Sequence, residues 1–256
     1  MKTAVLRIYI VLCCFLIAHP LIAEAAREEP TRIVATTSWT AAFAFAAGAL
    51  DVHVLAPYEM RHPTEYELSP SDIATVAGAE LIVFAGYEVT MPRIREAAGG
   101  GAELLQIGTD FSLATIEASI GKIAEYLGTK SIGQDSVEAI RVFYDDWLAD
   151  LESSGLSGSR VITHLFHRPL AMILGFEIVG VFGPMPLEAR QIAELSDAGA
   201  ELIIDNYHID IGAPLREVLP SVPAADLINF PGVGATVTLL DVLRENRKRL
   251  DAAVNR

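Results

Sequence analysis

Histidine is the residue type whose placement in this sequence offers the clearest chemistry. The sequence holds six histidines, of which His19 lies in an apolar N-terminal segment. Four others stand at the ends of predicted strands or in the loops after them: His62, His164, His167 and His208. The carboxyl ends of parallel strands meet at one edge of a sheet, so side chains there share a site. His53 lies within a predicted strand, which favours a structural role.

Imidazole is the commonest protein ligand of borderline metal ions, and carboxylates complete such coordination shells. A metal site at the strand ends is therefore predicted from four residues: His62, His164, Asp205 and His208. This donor set suits zinc, manganese or iron. Each histidine taken singly is more often a surface or structural residue, so the prediction depends on several of them coinciding at strand ends.

Motifs for enzymatic chemistry are missing from the sequence. The glycines at 99–101 are followed by no Lys-Ser/Thr pair, so they do not form a phosphate-binding loop. The sequence contains neither a G-x-S-x-G elbow nor an H-E-x-x-H zinc motif. Because no nucleophile is paired with an acid or base, the sequence predicts a binding protein rather than an enzyme.

The elements that position these residues alternate between short apolar runs and helical patterns. Strands are predicted at 32–37, 52–55, 80–85 and 104–107, and again at 160–164, 176–181, 202–205 and 226–230. Helical spacing occurs at 116–127 and 136–151, between the two groups of strands, and at 239–254. This alternation predicts an α/β fold of parallel sheets flanked by helices.

One segment of six residues occurs twice in the sequence. AGAELI stands at 77–82 and again at 198–203, each time between a predicted helix and a buried strand. The repetition favours two similar lobes, although helix-Gly-strand junctions are common in themselves. Two α/β lobes that face each other form a cleft, which is a usual place for a small ligand.

The N-terminus has the features of an export signal. Lys2 and Arg7 precede an uncharged apolar run at 8–18, and Ala-Glu-Ala at 23–25 resembles a signal-peptidase site. The run is too short for an ordinary membrane span, although an uncleaved anchor is the alternative. Both cysteines, Cys13 and Cys14, lie inside this segment, so the mature chain has no disulfide. We expect a periplasmic or extracellular protein with a signal peptide at 1–25.

The charge of the chain limits its partners. The formal net charge is −14 for 256 residues, with 52% hydrophobic and 20% charged residues. This composition is typical of a folded protein, and an acidic surface disfavours nucleic acid and anionic membrane. We expect no nucleic-acid partner.

Several motifs are spread across nearly all of the mature chain: HPTEYELSPSD at 62–72, IATVAGAELIVFAG at 73–86, Thr-His at 163–164, GFEIVG at 175–180, FGP at 182–184, and Asn246 in the terminal helix. Together these motifs resemble those of the zinc/manganese solute-binding proteins of ABC transporters. The resemblance implies a metal ion held between two α/β lobes that are joined by a long helix. The domains implied are an N-terminal lobe at 30–130, a linking helix at 131–157 and a C-terminal lobe at 158–256.

The ligand positions implied by the resemblance are only partly kept. His164 matches its position, whereas the first position falls on Thr64, with His62 two residues earlier in a longer loop. The second position has no histidine and offers only Asp110, and the fourth is Asn229, a neutral and weaker ligand. Either neighbours that include His167 rebuild the site, or the site no longer holds the family's metal.

The resemblance implies an extracytoplasmic protein that captures zinc, manganese or another divalent ion and delivers it, as a monomer, to an ABC-type permease. Three alternatives stay open. The same fold would bind a non-metal solute near Tyr66, Tyr87, Glu88 and Tyr207. The protein would otherwise be a secreted metallo-hydrolase that uses the same histidines, or a surface adhesin with a vestigial cleft.

Overall fold

The computed structural model of the chain describes residues 32–255, so the predicted signal segment lies outside the described residues. Within this range the chain forms eight strands, β1 to β8: Ile33–Ala35, Val52–Val54, Leu81–Phe84, Glu103–Gln106, Arg160–His164, Glu177–Phe182, Leu202–Asn206 and Ala224–Leu227. The same range contains nine α-helices, α1 to α9: Ser38–Ala46, Pro70–Ala77, Met91–Ala98, Leu113–Leu127, Lys130–Ser153, Arg168–Ile173, Ala189–Ser196, Ala213–Val218 and Leu239–Val254.

The strands form two four-stranded parallel sheets of the same topology. The first sheet has the order β2-β1-β3-β4 and the second has the order β6-β5-β7-β8. The two AGAELI segments lead into β3 and β7, which hold the same position in their sheets. The prediction of two α/β lobes with parallel sheets is confirmed, and we call them the N-terminal and C-terminal lobes.

The inner strands of the two sheets, β1, β3, β5 and β7, are buried on both faces, as continuous apolar strands require. In β3, Leu81 and Val83 belong to a core that also contains residues of the C-terminal lobe, whereas Ile82 and Phe84 pack on the opposite face. In β7, Ile204 lies in the shared core and Ile203 faces a separate cluster beneath α7 and α8. The two lobes are therefore joined by one apolar core.

The long helix α5 lies between the two sheets in chain order. Its buried stripe includes Val137, Ile140, Tyr144, Trp147 and Leu151, which recur at three- and four-residue spacing and belong to the shared core. The domain boundaries at 130 and 158 stay a prediction. None of the helices between residues 32 and 255 has the length and apolar character of a membrane span.

The last strand ends earlier than the sequence pattern predicts. β8 ends at Leu227, and the backbone of Ile228 bonds to the buried side chain of Asn246 in α9. The Asn246 amide accepts from the Ile228 N–H at 2.7 Å and donates to its carbonyl at 2.8 Å. The Asn246 side chain thus pairs with the backbone of Ile228 just beyond the end of β8. Residues 229 and 230 follow in the loop after this strand.

Candidate metal site

A cavity of about 580 Å³ lies between the loops at the carboxyl ends of the two sheets. Each of the eight strands except β1 is followed by a loop that contributes to the lining. The polar and charged residues of the lining include Arg61, His62, Thr64, Asp110, His208 and Asn229. In open parallel sheets, ligands bind in the crevice beyond the carboxyl ends of the strands.

His208 is the histidine best placed to bind a ligand in this cavity. It follows β7, is 4% exposed and lines the cavity, and its Nδ1 has no hydrogen-bond partner. Burial lowers the pKa of His208 to about 4, more than the contact with Asn229 raises it. A neutral imidazole with an unpaired nitrogen is the form that binds a metal ion.

The loop around His208 is fixed by Asn206, a residue that the sequence analysis did not select. Its Oδ1 accepts hydrogen bonds from the N–H groups of His208 at 2.9 Å and Ile209 at 3.2 Å. This is an Asx turn, and the Asn at the end of a buried strand was the signal for it. The buried amide therefore sets the direction in which the chain leaves β7.

His62 lines the same cavity from the N-terminal lobe, but it is exposed. It precedes the short 3-10 turn Pro63–Glu65, in which Thr64 also lines the cavity. The charge that His62 carries when protonated contributes to the lowered pKa of His208, after burial and two arginines. The two histidines thus lie on opposite walls of one cavity.

His164 lies behind the cavity wall formed by Leu165 and Phe166. Its Nδ1 accepts from the Phe166 N–H at 3.2 Å, whereas its buried Nε2 is unpartnered and lies against Gly183. A side chain at position 183 would collide with this ring, and the glycine also has a φ of +84°. Burial lowers the pKa of His164 to about 4, so its ring is neutral at pH 7.

His167 is buried beside the cavity rather than in its lining. Its ring stacks on Phe111 with centroids 5.6 Å apart, and its Nε2 lies 3.1 Å from the Leu227 carbonyl oxygen. Its Nδ1 is buried without a partner, and burial lowers its pKa to about 3. The ring centroids of His164 and His167 are 6.5 Å apart.

Asp205, the predicted carboxylate ligand, bonds to its own lobe and does not line the cavity. It is fully buried and accepts from Arg216 at 2.7 Å, from the Gly212 N–H at 2.9 Å and from the Asn206 N–H at 2.8 Å. Burial raises its pKa more than these donors lower it. Its oxygens are therefore occupied by hydrogen bonds.

The other carboxylate and amide candidates also have internal partners. Asp110 accepts from the N–H and hydroxyl of Ser112 and from the hydroxyl of Thr115, at the start of α4. The Oδ1 of Asn229 accepts from the side chain of Asn206 at 3.2 Å. Both residues line the cavity, but neither is without a hydrogen-bond partner.

The predicted ligands are not gathered into a preformed coordination shell. Among residues 32–255, one set of three potential ligand groups lies within 4.8 Å, and it consists of Asp205, Asp210 and Asp226. The guanidinium of Arg216 contacts all three carboxylates, so a cation already fills that cluster. His62 and His208 share the cavity, and His164 lies behind its wall.

Comparison with known proteins identifies the fold of the chain. No known protein family and no curated protein matches the sequence. Among solved structures, the laminin-binding protein Lbp of Streptococcus pyogenes has a TM-score of 0.65 at 15% identity, covering 86% of this chain and 97% of that one. The Mn-bound periplasmic metal-binding protein of Candidatus Liberibacter asiaticus has a TM-score of 0.64 at 14% identity, covering 85% and 97%.

A third structure of the same fold is described as a bifunctional protein with adhesin and metal-transporting activity. It is the laminin-binding protein Lmb of Streptococcus agalactiae, with a TM-score of 0.60 at 16% identity, covering 87% of this chain and 98% of that one. At these identities the likeness shows a shared two-lobed α/β fold.

Proposed function

We propose that this chain is an extracytoplasmic solute-binding protein that captures a divalent metal ion in the cavity between its lobes. The proposal rests on His208, a buried and neutral imidazole in the cavity wall whose Nδ1 has no hydrogen-bond partner. His62 faces it across the cavity, and His164 supplies a further unpaired nitrogen immediately behind the wall. The structural neighbours described as metal-binding proteins support this role, as does the predicted export signal.

The donor chemistry favours a nitrogen-preferring ion. The candidate donors with an unpaired nitrogen are imidazoles, while Asp110 and Asp205 are held by hydrogen bonds. Imidazole suits zinc and iron, whereas manganese prefers carboxylate and carbonyl oxygens. The protein binds and releases the ion without making or breaking a covalent bond, and it delivers the ion to an ABC-type permease.

Calorimetry on metal-stripped protein at pH 7 tests the proposal. We expect zinc to bind more tightly than manganese, and His208→Asn to lower the zinc affinity at least about 100-fold, because loss of even an outer-shell contact costs about 10- to 100-fold. The matched control is His53→Asn, since His53 is exposed on β2. Equal zinc affinities for the wild type and His208→Asn would refute the assignment.

A non-metal solute is the second candidate, and the lining of the cavity favours it in one respect. Aromatic side chains line much of the wall: Tyr87, Phe111, Phe166 and Phe230. A volume of about 580 Å³ also exceeds what a single ion fills and lies within the range of small-molecule pockets. Metal content of protein purified without added metal separates the candidates, because a non-metal binder would carry none after gel filtration.

A further inference from the structure

We infer that Arg61 is a positioning residue that latches the loop carrying His62 onto the loop carrying His208 and so sets how fast the ligand leaves. The inference rests on the proposed function, since it concerns the release of the same ligand. Arg61 directly precedes His62, and its contacts lie on Tyr207, which directly precedes His208. A contact between these two loops therefore controls the distance between the two histidines that face the cavity.

The Arg61 guanidinium makes three contacts with the C-terminal lobe. Its Nη2 donates to the Tyr207 carbonyl at 3.0 Å and to Asp210 Oδ2 at 3.2 Å. The guanidinium also lies over the Tyr207 ring, 5.4 Å from its centroid. A planar guanidinium is suited to such combined contacts, whereas an ammonium group is not. The three contacts define one direction of approach for the loop.

Asp210, which accepts from Arg61, is held in place by other residues of the C-terminal lobe. The second oxygen of Asp210 accepts from Arg216 at 2.9 Å, and Arg216 is anchored on the buried Asp205 at 2.7 Å. The Asp210 N–H donates to the Asn206 carbonyl at 2.7 Å, and Asp210 has a left-handed φ of 51°. Such a conformation is uncommon for a non-glycine residue and requires support from its surroundings. Arg61 therefore docks onto a fixed point of the C-terminal lobe.

The contact between Arg61 and Asp210 is too weak to contribute much to the stability of the fold, but it can hold one loop in place. The side chains of Arg61 and Asp210 are 50% and 43% exposed, so their ion pair is weak and is screened by salt. The shared apolar core holds the lobes together without it. Breaking the contact should release the loop while the protein stays folded.

Release kinetics test the latch. Zinc-loaded protein is mixed with excess chelator in a stopped-flow instrument, and we expect Arg61→Gln to release zinc about five- to twentyfold faster than the wild type. Arg61→Lys keeps the charge without the planar contact and should fall between them. The control is Arg190→Gln, because Arg190 is 89% exposed and pairs with Glu194 within α7. Raising the salt concentration should accelerate release from the wild type more than from Arg61→Gln.

A measurement without ligand separates failure of the latch from failure of the proposed function. Amide hydrogen exchange of metal-free protein reports on segment 57–66, where Met60 and Glu65 donate within the segment to Pro57 and His62. Faster exchange there in Arg61→Gln than in Arg190→Gln supports the latch. Unchanged exchange or an unchanged release rate overturns it. A wild-type protein that binds no zinc overturns the proposed function, and with it the role of Arg61 in ligand release. Hydrogen exchange in the metal-free protein still tests whether Arg61 holds the loop against Tyr207 and Asp210.

Discussion

The two walls of the cavity differ in how far their donors are prepared for a ligand. The C-terminal lobe holds three buried histidines, each with an unpartnered ring nitrogen: His208 in the cavity lining, His164 behind the lining and His167 beside it. The N-terminal lobe presents an exposed His62 and an Asp110 whose oxygens accept from Ser112 and Thr115 at the start of α4. The candidate donors of the C-terminal lobe are therefore buried with a free ring nitrogen, whereas those of the N-terminal lobe are exposed or already hydrogen-bonded.

If the chain binds a metal ion as proposed, this difference assigns different roles to the two lobes. Buried, oriented donors supply affinity because their position costs little further ordering when the ligand binds. An exposed donor on a loop, such as His62, would instead close the cavity over the ligand, because its side chain becomes ordered only when the ligand is bound. The segment that carries His62 contacts the opposite lobe through Arg61.

The largest expected effect tests whether Asp205 of the C-terminal lobe is a structural residue or a metal ligand. Asp205→Ala should lower the free energy of unfolding by about 3 kcal/mol, because Arg216 and the Gly212 N–H lose a buried acceptor. Zinc affinity should stay within about threefold of the wild type, since Asp205 does not line the cavity. Urea unfolding and calorimetry measure the two quantities.

Asp226→Ala is the matched control for Asp205, because Asp226 contacts the same arginine but its side chain is 48% exposed. We expect it to cost less than about 1 kcal/mol. Loss of zinc binding in Asp205→Ala without loss of stability would show that the Asp205 carboxylate binds the ion, although it does not line the cavity.

A smaller effect follows from the buried imidazoles. In the folded state burial lowers the pKa values of His164 and His208 to about 4 and that of His167 to about 3, whereas an unfolded histidine titrates near 6.5. The unfolded chain therefore binds more protons below pH 6.5, and stability present above that pH is lost as the pH falls toward 4. We expect each of the three rings to contribute roughly 2 kcal/mol to the stability that metal-free protein loses between pH 7 and pH 5.

Urea unfolding at a series of pH values measures this loss. His208→Asn should reduce the slope between pH 7 and pH 5, and His53→Asn should leave it unchanged because His53 is exposed on β2. Stability that stays constant over this interval would mean that the three rings are not held neutral by burial.

The smallest effect concerns the exposed wall. His62→Ala should lower zinc affinity only about three- to tenfold, since an exposed side chain must be ordered before it contributes. Calorimetry beside His208→Asn gives the ratio of the two losses. Equal losses would show that both walls contribute alike, and the proposed division between affinity and closure would then fail.

The sequence by itself determined the fold and the edge at which the candidate residues gather. Buried apolar runs alternate with helical patterns, and this alternation predicted the two parallel sheets that the structure shows. The placement of His62 and His208 after strands predicted that they would stand at the strand-end edge, where both now line the cavity. Strand periodicity carries this information because it fixes where each strand ends along the chain.

Only the tertiary structure decided which side chains face the cavity. His164 is the last residue of β5, as predicted, yet its ring lies against Gly183. The Asp205 carboxylate is hydrogen-bonded to Arg216. These partners come from other segments, and no local spacing specifies them. Arg61 has no local signal either, because its role depends on a carbonyl and a carboxylate that lie 146 and 149 residues away. Side-chain direction is set by packing between distant segments, which the order of residues along the chain does not display.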